Sequence, residues 1–213
     1  MEQQDFDKLR NAAERFSALF DTRYHIIIGR KGKAVELTVE FSAVDFHHLM
    51  GLGKLKDLRI ASQNRESVFA NILNGSITYS SICKSRYIEQ IENRFSPLSH
   101  IEQLFDDNRI IFRYHKKKNS FSLIEADFLL STPFSGNDIY IFIKEKDAAG
   151  RFFCRSFFPK EKKDYTAGQP QFTLLLKEKI TVSTGARLVQ YDRLTPKIPA
   201  ANAAAAPSGT SAL

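Results

Sequence analysis

The sequence has few cysteines, and they form no pattern that could bind a metal. Cys83 and Cys154 are the only two, and they lie far apart in apolar surroundings. Two isolated cysteines provide neither a disulfide framework nor a metal site, and they are typical of a reducing compartment. The five histidines are no better placed, because none stands four residues from another histidine or cysteine. We therefore predict no metal and no other cofactor.

The sequence also lacks long apolar runs. None approaches the roughly 20 residues that a membrane-spanning helix needs. Residues 1–7, MEQQDFD, are acidic where a secretory signal would be basic and then apolar. These absences predict a cytoplasmic protein that does not enter a membrane.

Tryptophan is absent, whereas phenylalanine occurs 18 times among 213 residues. A substantial core is expected at 43% hydrophobic residues, and phenylalanine must provide much of it. The formal net charge of +7 favours polyanions such as nucleic acid, although an anionic membrane surface is a second possibility.

Hydrophobic periodicity predicts helices in the first half of the chain and strands in the second. Apolar residues recur at helical spacing over residues 5–20, and strict alternation marks a β-hairpin over residues 24–41. Several short helices follow over about 62–107, including one that Asn64 caps. The predicted later strands are 110–114, 122–130, 139–144, 151–158 and 172–179. Closely spaced consecutive strands favour an antiparallel meander, so we predict an α+β fold: an N-terminal helix and hairpin, a helical insert, then an antiparallel sheet.

The composition changes near the C-terminus. Residues 196–213 are rich in alanine and proline, and the alanine run is too short to hold a helix alone. We predict one domain over residues 1–195, followed by a disordered tail.

The segment 41–58 combines acid–base groups with cations. Asp45 is a candidate helix cap, His47 and His48 follow it, and Gly51 or Gly53 can end the helix. Neighbouring helical residues point about 100° apart, so at most one imidazole faces any given site. The alternative is a histidine at the edge of the core that bonds a carbonyl group.

Lys54, Lys56 and Arg59 come directly after these histidines. Cleavage of RNA by its own 2′-hydroxyl needs a base, an acid and cations around the phosphate, so histidine and lysine suffice. The alternative is that a basic loop only keeps the surface soluble.

The later strands supply further candidates. Arg155 and Ser156 interrupt an apolar strand and should point to opposite faces, and Tyr165 lies in a polar loop after it. Arg113 belongs to a basic cluster that has two equally expected roles. It could contact phosphate groups, or it could protect a sheet edge from pairing with another strand. Gln171 directly precedes the last predicted strand and is a further candidate for binding substrate.

Several segments resemble a known family when they are taken together. They are Phe46-His-His-Leu-Met-Gly-Leu-Gly-Lys-Leu, Val68-Phe-Ala-Asn-Ile-Leu-Asn-Gly-Ser-Ile-Thr, Ser156-Phe-Phe-Pro, Asp164-Tyr and Thr173-Leu-Leu-Leu-Lys. Over about residues 20–180 the chain resembles the phage- and mobile-element-associated nuclease domains of the barnase/EndoU/colicin/RelE-like fold, fourth subgroup.

The resemblance implies functional positions and a reaction. It puts His48, rather than His47, at the family's histidine position, matches Lys54, and includes Ser156 and Tyr165 in its C-terminal segments. It implies metal-independent phosphodiester cleavage that leaves a 2′,3′-cyclic phosphate, on a sheet whose concave face binds RNA.

The leading hypothesis is therefore an endoribonuclease of phage, mobile-element or toxin type. His48, Lys54, Ser156 and Tyr165 are its candidate catalytic residues, and its candidate substrate-binding residues are Lys56, Arg59, Arg113 and Gln171. RNA is the expected partner, together with a possible protein inhibitor or immunity protein. The alternatives are a non-catalytic interaction module, such as an inhibitor of a host or phage factor, and a protein that binds nucleic acid without cleaving it.

Overall fold

The computed structural model describes residues 6–119 and 122–196. Seven α-helices lie in these ranges: α1 Lys8–Ser17, α2 Ala43–Met50, α3 Arg65–Leu73, α4 Tyr79–Ile82, α5 Glu89–Glu92, α6 Phe95–Ser99 and α7 Ile101–Asp107. The strands are β1 Thr22–Arg30, β2 Lys33–Glu40, β3 Ile110–Arg113, β4 Phe128–Phe134, β5 Asn137–Asp147, β6 Arg151–Pro159, β7 Gln171–Thr181 and β8 Arg187–Asp192.

The strands close into a mixed β-barrel, and the predicted antiparallel-sheet layout is wrong. Seven strands follow the order β1-β2-β6-β5-β4-β3-β7, and β7 pairs back onto β1 along Thr22–Gly29. The barrel is mixed because β2 and β6 run parallel, with Val39 opposite Phe152. Alternating apolar residues indicate that a strand has a buried face, but they carry no information about which distant strand lies beside it.

The interior of the barrel is one continuous apolar core shared with the helices. All seven barrel strands contribute to it, and so do Phe16 of α1, Phe46 of α2 and Phe105 of α7. Edge-on contacts between phenylalanine rings recur in it, for example between Phe16 and Phe41 at 6.1 Å. The prediction that phenylalanine builds much of the core is confirmed.

A second, smaller apolar cluster lies on the outer face of the barrel. Its buried members are Tyr114, Leu129, Tyr140 and Phe142. The chain from Ser122 to Ala126 packs over it without forming a strand, so the predicted strand 122–130 begins too early. In β5, Ile141 and Ile143 face the interior while Tyr140 and Phe142 face this outer cluster, as alternation along a strand requires.

Several local predictions for the first half of the chain are confirmed, although α1 is shorter than the helix predicted over residues 5–20. α1 begins after the N-cap Asp7, the hairpin pairs Ile26 with Leu37, and Asn64 caps α3. The last strand, β8, was not predicted, and it pairs with β7 alone among the described strands. No helix in the described ranges is long and apolar enough to cross a membrane. The predicted tail lies outside the described residues from position 197 onward.

Candidate active site

A groove opens between α2 and β6, with a volume of about 310 Å³. It is lined by His47, His48, Gly51, Gly53, Lys54, Arg94, Leu123, Ile124, Arg155 and Ser156. Residues from the front, the middle and the rear of the chain therefore meet in one place. The groove brings together three of the four predicted catalytic residues, His48, Lys54 and Ser156.

The ends of α2 hold the histidines in position. Ser42, rather than Asp45, is the N-cap, and the Asp45 carboxylate completes a capping box by accepting from the Ser42 backbone N–H at 2.9 Å. The helix ends at Gly51, which has a left-handed φ of 81°. The prediction that glycine ends this helix is confirmed, and the chain turns there toward Lys54.

His47 and His48 have different environments. Nε2 of His47 lies 3.0 Å from the carbonyl oxygen of Ile60, and because a carbonyl only accepts, this nitrogen carries the proton. His47 is thus the carbonyl-bonded histidine at the edge of the core. Nε2 of His48 is buried and has no hydrogen-bond partner among the described residues. An unpaired buried nitrogen is costly unless a ligand completes it.

His48 is neutral at physiological pH. Burial lowers the pKa of its imidazole to about 4, and the positive charges of Arg65 and Arg155 add to this effect. A neutral imidazole carries a proton on only one of its two ring nitrogens. The other nitrogen can accept a proton but has none to donate. The environment therefore suits His48 to the role of a base rather than an acid.

Arg94 is a buried cation at the wall of the groove. Its side chain is only 5% exposed, and one Nη donates to the carbonyl of Leu49 at 3.0 Å. Its Nε has no hydrogen-bond partner in the part of the chain that the structure describes. Burial lowers the pKa of this guanidinium to about 10, although Glu161 partly opposes the effect. A guanidinium that is held out of water and forms no direct ion pair with a described residue is the arrangement expected of an anion site.

Lys54 adds a second cation at the mouth of the groove. Its ammonium group donates to the carbonyl of Gln90 at 3.2 Å. Burial of that group lowers its pKa, and repulsion from Arg94 lowers it further. None of the described residues that line the groove is acidic. A phosphate bound there would relieve the repulsion between Lys54 and Arg94.

A β-bulge in β6 brings Arg155 and Ser156 to the same side. Phe142 of β5 pairs with Ser156, whereas the next residue, Ile143, pairs with Cys154. Arg155 is therefore the extra residue, and the alternation of inward and outward side chains restarts after it. The prediction that Arg155 and Ser156 point to opposite faces is wrong, because both line the groove.

One family matches the sequence over residues 8–194, and it is described as phage-Barnase-EndoU-ColicinE5/D-RelE like nuclease4. The chain belongs to this nuclease family. The resemblance predicted from short segments is confirmed, and it extends beyond the predicted range of 20–180 at both ends. No curated protein and no solved structure gives a significant match.

Tyr165 of this nuclease does not line the groove. Its ring packs in the outer apolar cluster, 5.4 Å from Phe158 and 5.8 Å from Tyr140. Burial raises the pKa of its phenol, so it stays protonated. Phe158 in turn lies 5.7 Å from the Arg94 guanidinium, so Tyr165 is one ring removed from the groove. It packs behind the wall of the groove.

The four predicted substrate-binding residues of the nuclease also lie outside the groove. Lys56 and Arg59 are exposed beyond it. Arg113 is on β3, 3.5 Å from the Asp127 carboxylate, with its guanidinium 4.8 Å from the Phe128 ring. Gln171 lines a separate depression that contains Arg109 and Tyr191.

Sequence reasoning missed Arg94. Ile91, Phe95 and Leu98 are buried at helical spacing, and Arg94 falls within the same apolar stripe. An arginine on a buried stripe is rare unless it is paired or functional, so the pattern carried a usable signal. In the described ranges no group of three or more His, Cys, Asp or Glu side chains is arranged to hold a metal ion.

Proposed function

We propose that this nuclease cleaves RNA by using the 2′-hydroxyl of the substrate as the nucleophile, with His48 as the general base. The observation that carries the proposal is that His48 lines a cationic groove and that its buried Nε2 has no hydrogen-bond partner among the described residues. In the tautomer that carries the proton on Nδ1, this nitrogen would accept the hydrogen of a 2′-hydroxyl. Proton transfer to a positioned base is a common component of catalysis.

The proposed reaction breaks one P–O bond and forms another. His48 takes the proton of the 2′-hydroxyl, O2′ attacks the adjacent phosphorus, and the bond from phosphorus to O5′ breaks. The leaving O5′ takes up a proton, and the product carries a 2′,3′-cyclic phosphate. Lys54 is the proposed proton donor, because its lowered pKa makes the ammonium group a stronger acid than an ordinary lysine.

Arg94, Arg155 and Ser156 are proposed to bind the phosphate oxygens. Negative charge builds up on these oxygens as the fifth bond to phosphorus forms, and preorganised cations in a partly dry site stabilise it. Both arginines line the groove, and Arg94 is held by the Leu49 carbonyl. The hydroxyl of Ser156 adds a neutral donor on the same wall.

The test is a set of oligonucleotides incubated with the protein in EDTA. One is all RNA, one is all DNA, and one is DNA with a single ribonucleotide. We expect cleavage of the first, none of the second, and cleavage of the third only on the 3′ side of the ribonucleotide, with a cyclic phosphate on the product. Cleavage of the all-DNA strand would overturn 2′-hydroxyl attack. Salt-dependent binding that leaves all three strands intact would support binding without cleavage.

A further inference from the structure

A second pocket adjoins the groove and shares His48 and Arg155 with it. Its volume is about 340 Å³, within the range of small-ligand sites. The two shared side chains stand between the groove and this pocket. A ligand whose phosphate lies in the groove would therefore place the chemical group next to that phosphate in the pocket.

The walls of the pocket are apolar and partly aromatic. Phe41, Val44, Phe152 and Phe153 line it. Phe152 is buried and packs against Phe128, whereas Phe153 is half-buried and stacks on no other ring among the described residues. A half-buried ring without an aromatic neighbour offers a face on which a flat base can stack.

The rim of the pocket is rich in hydrogen-bond donors, and the charges of Arg65 and Lys146 also act on the Asp45 carboxylate. Arg65, Lys146 and Arg155 line the rim, and none forms a direct ion pair within the described residues. The acidic residues at the pocket are already engaged. Glu40 pairs with Arg23 at 2.9 Å, and the Asp45 carboxylate accepts a hydrogen bond from the hydroxyl of Ser42 at 2.7 Å. The groups left to recognise a ligand are therefore donors, which bind carbonyl oxygens well and amino groups poorly.

We propose that this pocket binds the nucleobase next to the scissile phosphate, and that it selects bases with a ring carbonyl (guanine, uracil or cytosine) over adenine. Phe153 stacks on the base, and Lys146 and Arg65 donate to its carbonyl oxygen. This inference rests on the proposed function for the identity of the substrate. Binding of a nucleotide to this pocket is measurable without any cleavage.

The first measurement is calorimetric binding of uridine 3′-monophosphate, adenosine 3′-monophosphate and inorganic phosphate to the full chain. We expect the uridine nucleotide to bind at least about fivefold more tightly than phosphate, because base–aromatic stacking contributes roughly 1–3 kcal/mol. The adenosine nucleotide should bind more weakly than the uridine nucleotide. Equal binding of the two nucleotides, or nucleotides no tighter than phosphate, overturns the proposal.

Two variants locate the binding. Phe153→Ala should weaken uridine 3′-monophosphate binding by about five- to 100-fold and leave phosphate binding unchanged. Phe6→Ala is its matched control, because Phe6 is 76% exposed and lies outside the pocket. Lys146→Gln, at an exposed position, should remove the discrimination between uridine and adenosine even if Phe153→Ala does not fold. Unchanged discrimination in Lys146→Gln overturns its role in selection.

Sequencing of cleaved RNA ends separates this proposal from the proposed function. We expect the wild type to cleave beside carbonyl-bearing bases, and Lys146→Gln to cleave with a flatter base distribution. If the wild type cleaves no RNA but still binds uridine 3′-monophosphate through Phe153, the proposed function fails and the base site stands. If RNA is cleaved and neither variant alters nucleotide binding or base distribution, the base site fails alone.

Discussion

Arg155 and Ser156 are neighbours in β6, yet both side chains line the groove that holds His48. An ordinary strand would send one of them into the barrel interior, where Cys154 and Phe157 are buried. The bulge avoids burying a guanidinium and sets a cation and a hydroxyl side by side. It is the feature of β6 that turns an apolar strand into one wall of the proposed phosphate site.

The two histidines should respond differently to substitution. His48→Ala removes the proposed base and should lower RNA cleavage in EDTA by about 100-fold or more, with little change in the melting temperature. His47→Ala removes the hydrogen bond to the Ile60 carbonyl, and should instead cost about 1–2 kcal/mol of unfolding free energy. Cleavage rates and thermal melts of both variants make the comparison. Unchanged activity in His48→Ala would remove this residue from the mechanism.

The pH dependence of kcat/KM should report the neutral state of His48. Burial, with help from Arg65 and Arg155, lowers its pKa to about 4, so activity should fall only as pH drops through about 4. Arg65→Gln removes one of the repelling charges, raises this pKa and moves the acid limb toward 6.5. NMR titration of the imidazole protons measures the same shift without substrate. An acid limb near 6.5 in the wild type contradicts the assignment.

The lowered pKa of His48 should also make the stability of the fold depend on pH. In the unfolded chain a histidine binds its proton near pH 6.5, whereas folded His48 does so only near 4. Between these values the unfolded state holds more protons, so the free energy of unfolding should fall as pH drops from 6.5 toward 4. Denaturant melts across that range measure the fall, and it should be smaller in His48→Gln, which cannot titrate.

Local structure could be predicted from the sequence because short-range chemistry decides it. The alternation in β2, the Asn64 cap and the glycine that ends α2 each act within a few residues. The histidine–lysine part of the groove was predictable for the same reason, since His48 and Lys54 are separated by a single turn-forming segment.

Long-range structure could not be predicted in this way. Closure of the barrel depends on β2 meeting β6 and β1 meeting β7, and alternation does not specify partners. The bulge at Arg155 arises from pairing with β5 and leaves no local mark in the sequence. Arg94 reaches the groove only because α6 packs beside α2, so its place beside Lys54 also follows from tertiary packing.

Arg94→Met should separate function from stability. The substitution keeps an unbranched side chain of similar length but removes a charge that is 5% exposed and has an unsatisfied Nε. Removing a buried charge relieves its desolvation cost, and this gain offsets the lost hydrogen bond to the Leu49 carbonyl. We therefore expect RNA binding to weaken at least about tenfold, with a shallower salt dependence, while the melting temperature is kept. A large loss of stability with unchanged binding would mean that Arg94 serves the fold alone.

Lys177→Met, unlike Arg94→Met, should lower stability, because it removes a cation whose hydrogen bonds are made. The buried ammonium group of Lys177 donates to the carbonyls of Phe105, Asp106 and Asn108 at 2.6, 2.5 and 3.0 Å, so it satisfies the C-terminal end of α7. Methionine fills the space but leaves three carbonyls without this donor, at a cost of about 3 kcal/mol. Urea denaturation measures the loss, and Lys162→Met, at an exposed position, should show almost none.

Two glycine substitutions should show that the end of α2 serves the groove. Gly51 and Gly32 have left-handed φ values of 81° and 74°, so alanine costs about 1–2 kcal/mol at either position. A Cβ at Gly51 would also lie 3.2 Å from Cζ of Arg94 and 3.0 Å from Cγ2 of Ile91, whereas no atom of the described residues lies within 4 Å of a Cβ at Gly32. Gly51→Ala should therefore lose more stability than Gly32→Ala and, by displacing the guanidinium, should also weaken phosphate binding. Calorimetry with inorganic phosphate tests this, and equal phosphate affinity in the two variants would show that the position of Arg94 does not depend on Gly51.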